Sequence, residues 1–185
     1  VFLKRLFKFL SFLKLISHSQ YRNLRRYLIK LGEVQTLVTD IGMPMILNVV
    51  DVGVSHAIIL KGSYELTEVE IFKKIIHKNN VFIDVGANLG YYTLFAARMV
   101  GSKGRVFAFE PDPYNFSVLK KNVYLNRLSN VNCYNKAVAQ ENGTLELYLS
   151  YDLLGDHNVI VDTNREIIPV EKVKKDFVIG ATINK

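Results

Sequence analysis

The chain is 185 residues long, 49% hydrophobic and 22% charged, which suits one globular domain with an appendage and excludes a disordered chain. A net charge of +7 would suggest nucleic acid, but eight of the 24 Lys and Arg fall within 1–32, ahead of the first acid at Glu33, leaving sixteen basic against 17 acidic side chains beyond it. A basic groove across the body, and with it a nucleic-acid partner, is therefore not expected. The single cysteine, Cys133, excludes an internal disulfide framework and fits a reducing, cytoplasmic setting.

Residues Val1 to Ile16 read as a two-faced helix, with Lys4, Lys8, Ser11 and Lys14 on one side and Phe2, Leu6, Phe9, Leu10, Leu13 and Ile16 on the other. Its longest uncharged run, Phe9 to Leu13, is far short of the ~20 residues of a membrane span. No small-residue cleavage site follows, so a secretory signal is a poor fit. The apolar face has two expected occupants of equal weight: an anionic membrane surface, giving peripheral contact through 1–31, or protein. A second basic helix is expected over about Gln20 to Leu31, so 1–32 forms a basic amphipathic segment ahead of a main domain at 33–185. Val34 to Val50 alternates like strands about a Gly42-Met43-Pro44 turn. Thr67 with Glu70 predicts a capping-box helix start, with Val69, Phe72, Ile75 and Ile76 buried and an end near His77.

A βαβα pattern follows, over a cofactor-binding core at 62–150. Val81 to Val85 is a short apolar strand, and Leu89 to Val100 a helix with Leu94, Phe95 and Ala97 inward, stopped at Gly101. Arg105 to Phe109 is the next strand. Asp112 caps a helix whose first-turn Pro113 has no amide to lose, running to about Asn126. Val131 to Tyr134 is a third strand. Asn142-Gly143 turns the chain into Thr144 to Leu149, with Leu145, Leu147 and Leu149 on one face. Asn158 to Val161 and Glu166 to Val170 are later strands. The fold class is α/β and Rossmann-like.

The loop Asp84-Val85-Gly86-Ala87-Asn88-Leu89-Gly90 lies between a buried strand and a helix, where backbone amides can approach a nucleotide-like ligand. Gly86 and Gly90 remove side chains that would block that approach. Asp84 can accept from an amino group or orient the loop. Glu110, 20 residues past Gly90 at the end of the next strand, is placed to take both hydroxyls of a ribose. A dinucleotide site prefers G-x-G-x-x-G, which is missing here; a phosphate loop needs Lys-Ser/Thr where Tyr91-Tyr92 stands. S-adenosylmethionine carries no phosphate, and its ammonium and sulfonium suit an acidic loop, so it is the preferred ligand. A nicotinamide-dependent dehydrogenase is a distant alternative.

The run from Val81 to Thr93 resembles motif I of the FkbM family of class I methyltransferases. The similarity continues through Gly104 to Pro113, Leu119-Lys120-Lys121-Asn122-Val123, Asn130-Val131, Ala137-Val138-Ala139 and Gly143, with Tyr64-Glu65 resembling the pair that precedes the family's motif I helix. The resemblance implies S-adenosylmethionine-dependent O-methylation of a sugar, glycan or secondary-metabolite hydroxyl. It implies that Asp84, Gly86, Asn88 and Gly90, with Glu65, line the cofactor, that Glu110 holds the ribose, that Pro111-Asp112 borders the adenine, and that the backbone at Lys136-Ala137 closes over the ring. The family's fold also needs a central strand after the third. The nearest stretch, Val173 to Gly180, matches only with an inserted residue and sets Lys175 at a buried position. An incomplete C-terminal half is therefore expected, with the first strand exposed unless a partner chain covers it. It leaves a second functional reading, a cofactor binder without catalysis. No catalytic base is assigned. His157 reads as a loop residue, His18, His56 and His77 show no metal-ligand spacing, and Cys133 reads as core.

Overall fold

A computed structural model describes residues 32–49, 51, 53–149 and 166–174. The expected helices within 1–31, the strand Asn158 to Val161, His18, His157 and Lys175 lie outside the described residues.

The described chain opens with an antiparallel hairpin, β1 (Glu33–Val38) and β2 (Met43–Asn48), in register from Glu33↔Asn48 to Val38↔Met43. Its turn is 39–42, earlier than expected, because Met43 and Pro44 already pair with β1. Helix α1 (Val54–Lys61) was not legible in the sequence. It has no side-chain cap at its own N-cap Gly53; instead the buried Asp51 carboxylate accepts from the Gly53 and Ser55 amides at 2.9 and 2.8 Å.

Helix α2 (Leu66–Ile75) corrects the capping-box expectation. Its N-cap is Glu65, in the left-handed region at φ 46°, and no side chain caps it. Thr67 lies inside the helix, and Glu70 pairs with Lys73 at 2.7 Å. Val69, Phe72 and Ile76 turn inward as expected, whereas Ile75 is 58% exposed.

A parallel sheet ordered β3-β4-β5 follows, from β3 (Val81–Val85), β4 (Arg105–Phe109) and β5 (Val131–Tyr134). Helix α3 (Tyr91–Val100) connects β3 to β4, and α4 (Pro113–Leu125) connects β4 to β5, the crossover that parallel strands require. Asp112 is the α4 cap, accepting from the Asn115 amide at 2.7 Å, with Pro113 in the first turn, as expected. One large core unites hairpin and sheet: Val38, Met45 and Leu47 pack with Leu94, Phe95, Val100, Val106 and Val118.

A second sheet, ordered β6-β8-β7, comprises β6 (Ala137–Ala139), β7 (Gly143–Leu149) and β8 (Glu166–Lys174). Strand β8 runs four residues beyond the expected Val170, parallel to β6 and antiparallel to β7. Val173 on β8 and Phe109 on β4 form a buried cluster against which Ile83, Phe107 and Val138 on β6 pack. The face of β3 expected to lie bare is thus partly covered from within the chain. The β3 edge opposite β4 has no strand partner among the described residues, and Val85 is 59% exposed. No described helix is long and apolar enough to cross a membrane.

Candidate cofactor site

Asp84 is the penultimate residue of strand β3, and after Val85 the chain turns through 86–90 into α3. The turn is anchored to the neighbouring strand: the Gly86 and Ala87 amides both donate to the Phe109 carbonyl, at 2.9 and 3.0 Å. Asn88 adopts φ 51° and Gly90, the N-cap of α3, φ 96°. A side chain at Gly90 would come within 2.7 Å of Leu119 Cδ1, so glycine is required for packing as well as for backbone. Gly86, at φ 78°, differs: a Cβ there meets nothing within 4 Å. Protein does not fill the space beside it.

Glu110 stands immediately after β4, nearly fully buried. Each carboxylate oxygen has a backbone donor, the Asn88 amide at 2.7 Å to Oε2 and the Asp112 amide at 2.8 Å to Oε1. Burial outweighs these bonds and raises its pKa from 4.5 to about 7, with the charges of Asp112 and Asp84 adding to the rise. The Asp84 carboxyl is also raised by burial; the Thr93 hydroxyl, donating at 2.5 Å, opposes the shift. Asp84 therefore ties strand β3 to the first turn of α3, the loop-orienting role allowed by the sequence.

A small cavity of about 140 Å³ opens over the loop, lined among others by Glu65, Asp84, Gly86, Asn88, Tyr64 and Tyr92. The structure thus brings together four of the expected cofactor residues in one pocket wall, with Leu89, beside the fifth, Gly90, on the same wall. Glu110 joins them through the Asn88 amide. Asp112 follows, one carboxylate oxygen committed to the α4 cap. Pro111 is held by Asn135, whose amide donates to the Glu110 and Pro111 carbonyls at 2.8 and 2.9 Å, a contact the sequence reading missed. Ala137 lies two residues further on, but in β6 and paired with Lys172 rather than in the cavity wall.

Tyr64, Tyr91 and Tyr92 form much of the rest of the wall, with Val54 and Ala87. The Tyr92 hydroxyl donates to Glu65 at 2.5 Å, and the Tyr91 hydroxyl meets the Asp40 carboxylate and the Tyr64 carbonyl. Burial, reinforced by these carboxylates, pushes both phenols above their ordinary range, and Tyr64 up to about 12. All three stay protonated at neutral pH and serve as donors and walls, not bases. Asn88 Oδ1 is buried with no hydrogen-bond partner, a free acceptor in the loop itself.

A family model described as the TRM5/TYW2 methyltransferase domain matches residues 36–149, from the hairpin to the end of β7. The chain belongs to the TRM5/TYW2 methyltransferase domain family. This is an S-adenosylmethionine-dependent class I branch, so the expected Rossmann-like fold, cofactor class and membership of a methyltransferase family hold. The finer FkbM identification is replaced by this branch, and the sugar or metabolite hydroxyl that it implied loses its support. Among curated proteins the TRM5/TYW2-type chain is 33% identical over 97 residues to "Methyltransferase sdnD" of Sordaria araneosa, covering 52% of this chain and 34% of that protein. It is 30% identical over 69 residues to "Methyltransferase 1" of Beauveria bassiana, covering 37% of this chain and 27% of that protein. The chain thus spans about a third of the length of the curated relatives it matches. Among solved structures, M. jannaschii TYW2 in complex with AdoMet is 27% identical, with 55% of this chain and 42% of that chain covered and a TM-score of 0.44.

Proposed function

We propose that this chain binds S-adenosylmethionine across the 84–90 loop and Glu110, as the cofactor-holding part of a methyltransferase. One observation carries the reading. Glu110 is held at both oxygens by backbone amides, beside a glycine whose missing side chain leaves open space. An anchored carboxylate is a preorganised acceptor for a vicinal diol. The residues fit the cofactor's chemistry: Asn88 Oδ1 is an acceptor without a donor, and Asp84 and Glu65 give the pocket the negative charge that an ammonium and a sulfonium call for.

The cofactor supplies an electrophilic methyl group for direct displacement by a nucleophile. What the chain supplies is position: Glu110 would fix the ribose, the Gly86 edge would admit the ligand against backbone, and the tyrosine wall would exclude water from the methionine end. No described residue needs to act as a base for this part of the work.

Isothermal calorimetry of the full chain with S-adenosylhomocysteine tests the reading. We expect one site and a ligand-dependent rise in Tm; absence of both heat and thermal shift overturns it. A second reading is a binder that does not turn over alone, favoured by the β3 edge that has no strand partner among the described residues. Transfer of radiolabelled methyl to a panel of oxygen, nitrogen and carbon acceptors separates the two. A partner chain pairing along β3 would supply what the second reading lacks.

A further inference from the structure

Two of the three residues Asn88, Leu89 and Gly90 hold left-handed backbone, and one of them is not glycine. Such a conformation persists only where its surroundings hold it. The holding contacts come from an unexpected direction. Asn122, on α4 and 0% exposed, donates from Nδ2 to the Leu89 carbonyl at 2.8 Å and to the Ile46 carbonyl at 3.1 Å. Its Oδ1 accepts from the Ile46 amide at 2.6 Å. One carboxamide therefore joins the cofactor loop to strand β2 of the N-terminal hairpin. On the far side of Gly90, the Tyr91 hydroxyl meets Asp40 in the hairpin turn and the carbonyl of Tyr64, which lines the cavity.

We propose that the β1–β2 hairpin is a brace for the cofactor loop, acting through Asn122 and Tyr91 as positioning residues; this rests on the cofactor reading above. Packing alone does not explain Asn122. An aliphatic side chain would fill that space without the cost of burying an amide, whereas Asn122 satisfies three backbone groups, one of them in the loop. The bond to Leu89 fixes the peptide between Leu89 and Gly90, and the Gly90 amide in turn donates to Ala87 at 2.8 Å. The loop is thereby set in one shape before ligand arrives, which removes an ordering cost from binding. Asn122 does not line the cavity, and Tyr91, which does, commits its hydroxyl to Asp40 and the Tyr64 carbonyl.

The test uses the full chain and two variants. Asn122→Asp keeps the acceptor for the Ile46 amide but removes both donated bonds; Tyr91→Phe keeps the ring and removes only the hydroxyl. Each is assayed at a temperature where near-UV circular dichroism shows it fully folded. We expect the S-adenosylhomocysteine Kd to rise about tenfold in N122D and severalfold in Y91F, the scale of one buried hydrogen bond. Hydrogen exchange should quicken at the Gly86, Ala87 and Gly90 amides relative to the Val106 amide in the core. If N122D does not fold, Y91F alone decides. An unchanged Kd in the folded variants overturns the brace even if exchange quickens, because Asn122 would then be structural only. A wild type that binds no S-adenosylhomocysteine removes the cofactor reading instead; the brace then stands or falls on exchange, and unchanged loop exchange in the variants overturns it.

Discussion

As the proposed ribose ligand, Glu110 is asked to do two things that pull its protonation in opposite directions. Burial favours the neutral acid and raises its pKa to about 7 from 4.5. Accepting both ribose hydroxyls requires the carboxylate. The sign of each pH effect follows. With the folded-state pKa above the unfolded one, the native state binds more protons between about pH 4.5 and 7, so the ligand-free protein loses stability as pH rises through that window, by at most roughly 3 kcal/mol. Cofactor binding runs the other way: below pH 7 it must expel the proton, and Kd should rise about tenfold per pH unit. Urea denaturation and calorimetry across about pH 5 to 8 should show these opposed slopes. Glu110→Gln should flatten both, with Asp84, whose pKa burial also raises, contributing to the slope that survives. Parallel slopes would mean that Glu110 does not meet the ligand. Glu110 itself was legible from its spacing to Gly90, because strand-end carboxylates are set by the length of one βαβ unit. Its two backbone donors were not, since they depend on how residues 88 and 112 fold around it.

Elements with strong local signals were legible to the residue. Strands β4 and β5 fall where short apolar runs end in turn residues, and α4 starts where Asp112 and Pro113 supply a cap and a preset φ. Helix α1 was missed because its first-turn amides are capped by Asp51, two residues ahead of Gly53, and its sequence is apolar on most sides. The false capping box failed for a related reason: the left-handed Glu65 starts α2 early and leaves Thr67 inside it. The loop before α3 offers a test at this scale, because its two glycines are there for different reasons. Gly90→Ala meets both a left-handed backbone cost of roughly 1–2 kcal/mol and an overpacking cost of about 1–3 kcal/mol against Leu119. Gly86→Ala meets only the first, since nothing of the protein lies within 4 Å. Gly90→Ala should therefore lower the urea midpoint more, whereas Gly86→Ala should lose at least about tenfold in S-adenosylhomocysteine affinity for its smaller stability loss. Equal affinity loss per unit of destabilisation in the two would show that the space beside Gly86 is not the ligand's.

At the scale of the molecule, charge and shape are unevenly divided. In the described body Asp84 and Glu65 line the cavity, and Glu110 and Asp112 are buried close by along the chain. Eight Lys and Arg lie in 1–32, before any acid. The sheet itself was legible only as far as its local βαβ units. Its closure was not, because the cover over Ile83 and Phe107 comes from Val138 and Val173, which are distant in sequence from both. The sequence assigned no strand to Val138 and ended one before Val173. Separated charge of this kind has a measurable consequence. If the basic segment engages an anionic surface, attraction should scale with its Lys and Arg and fall as salt shortens the Debye length from about 10 Å at 0.1 M to about 3 Å at 1 M. We expect the full chain to pellet with vesicles containing phosphatidylserine at low salt and to be released at high salt. Deletion of 1–31 should abolish pelleting while S-adenosylhomocysteine affinity is kept, because the N-terminal contacts of Asn122 and Tyr91 among the described residues are made with the hairpin at 33–48. Equal pelleting with and without the segment would assign its apolar face to protein instead.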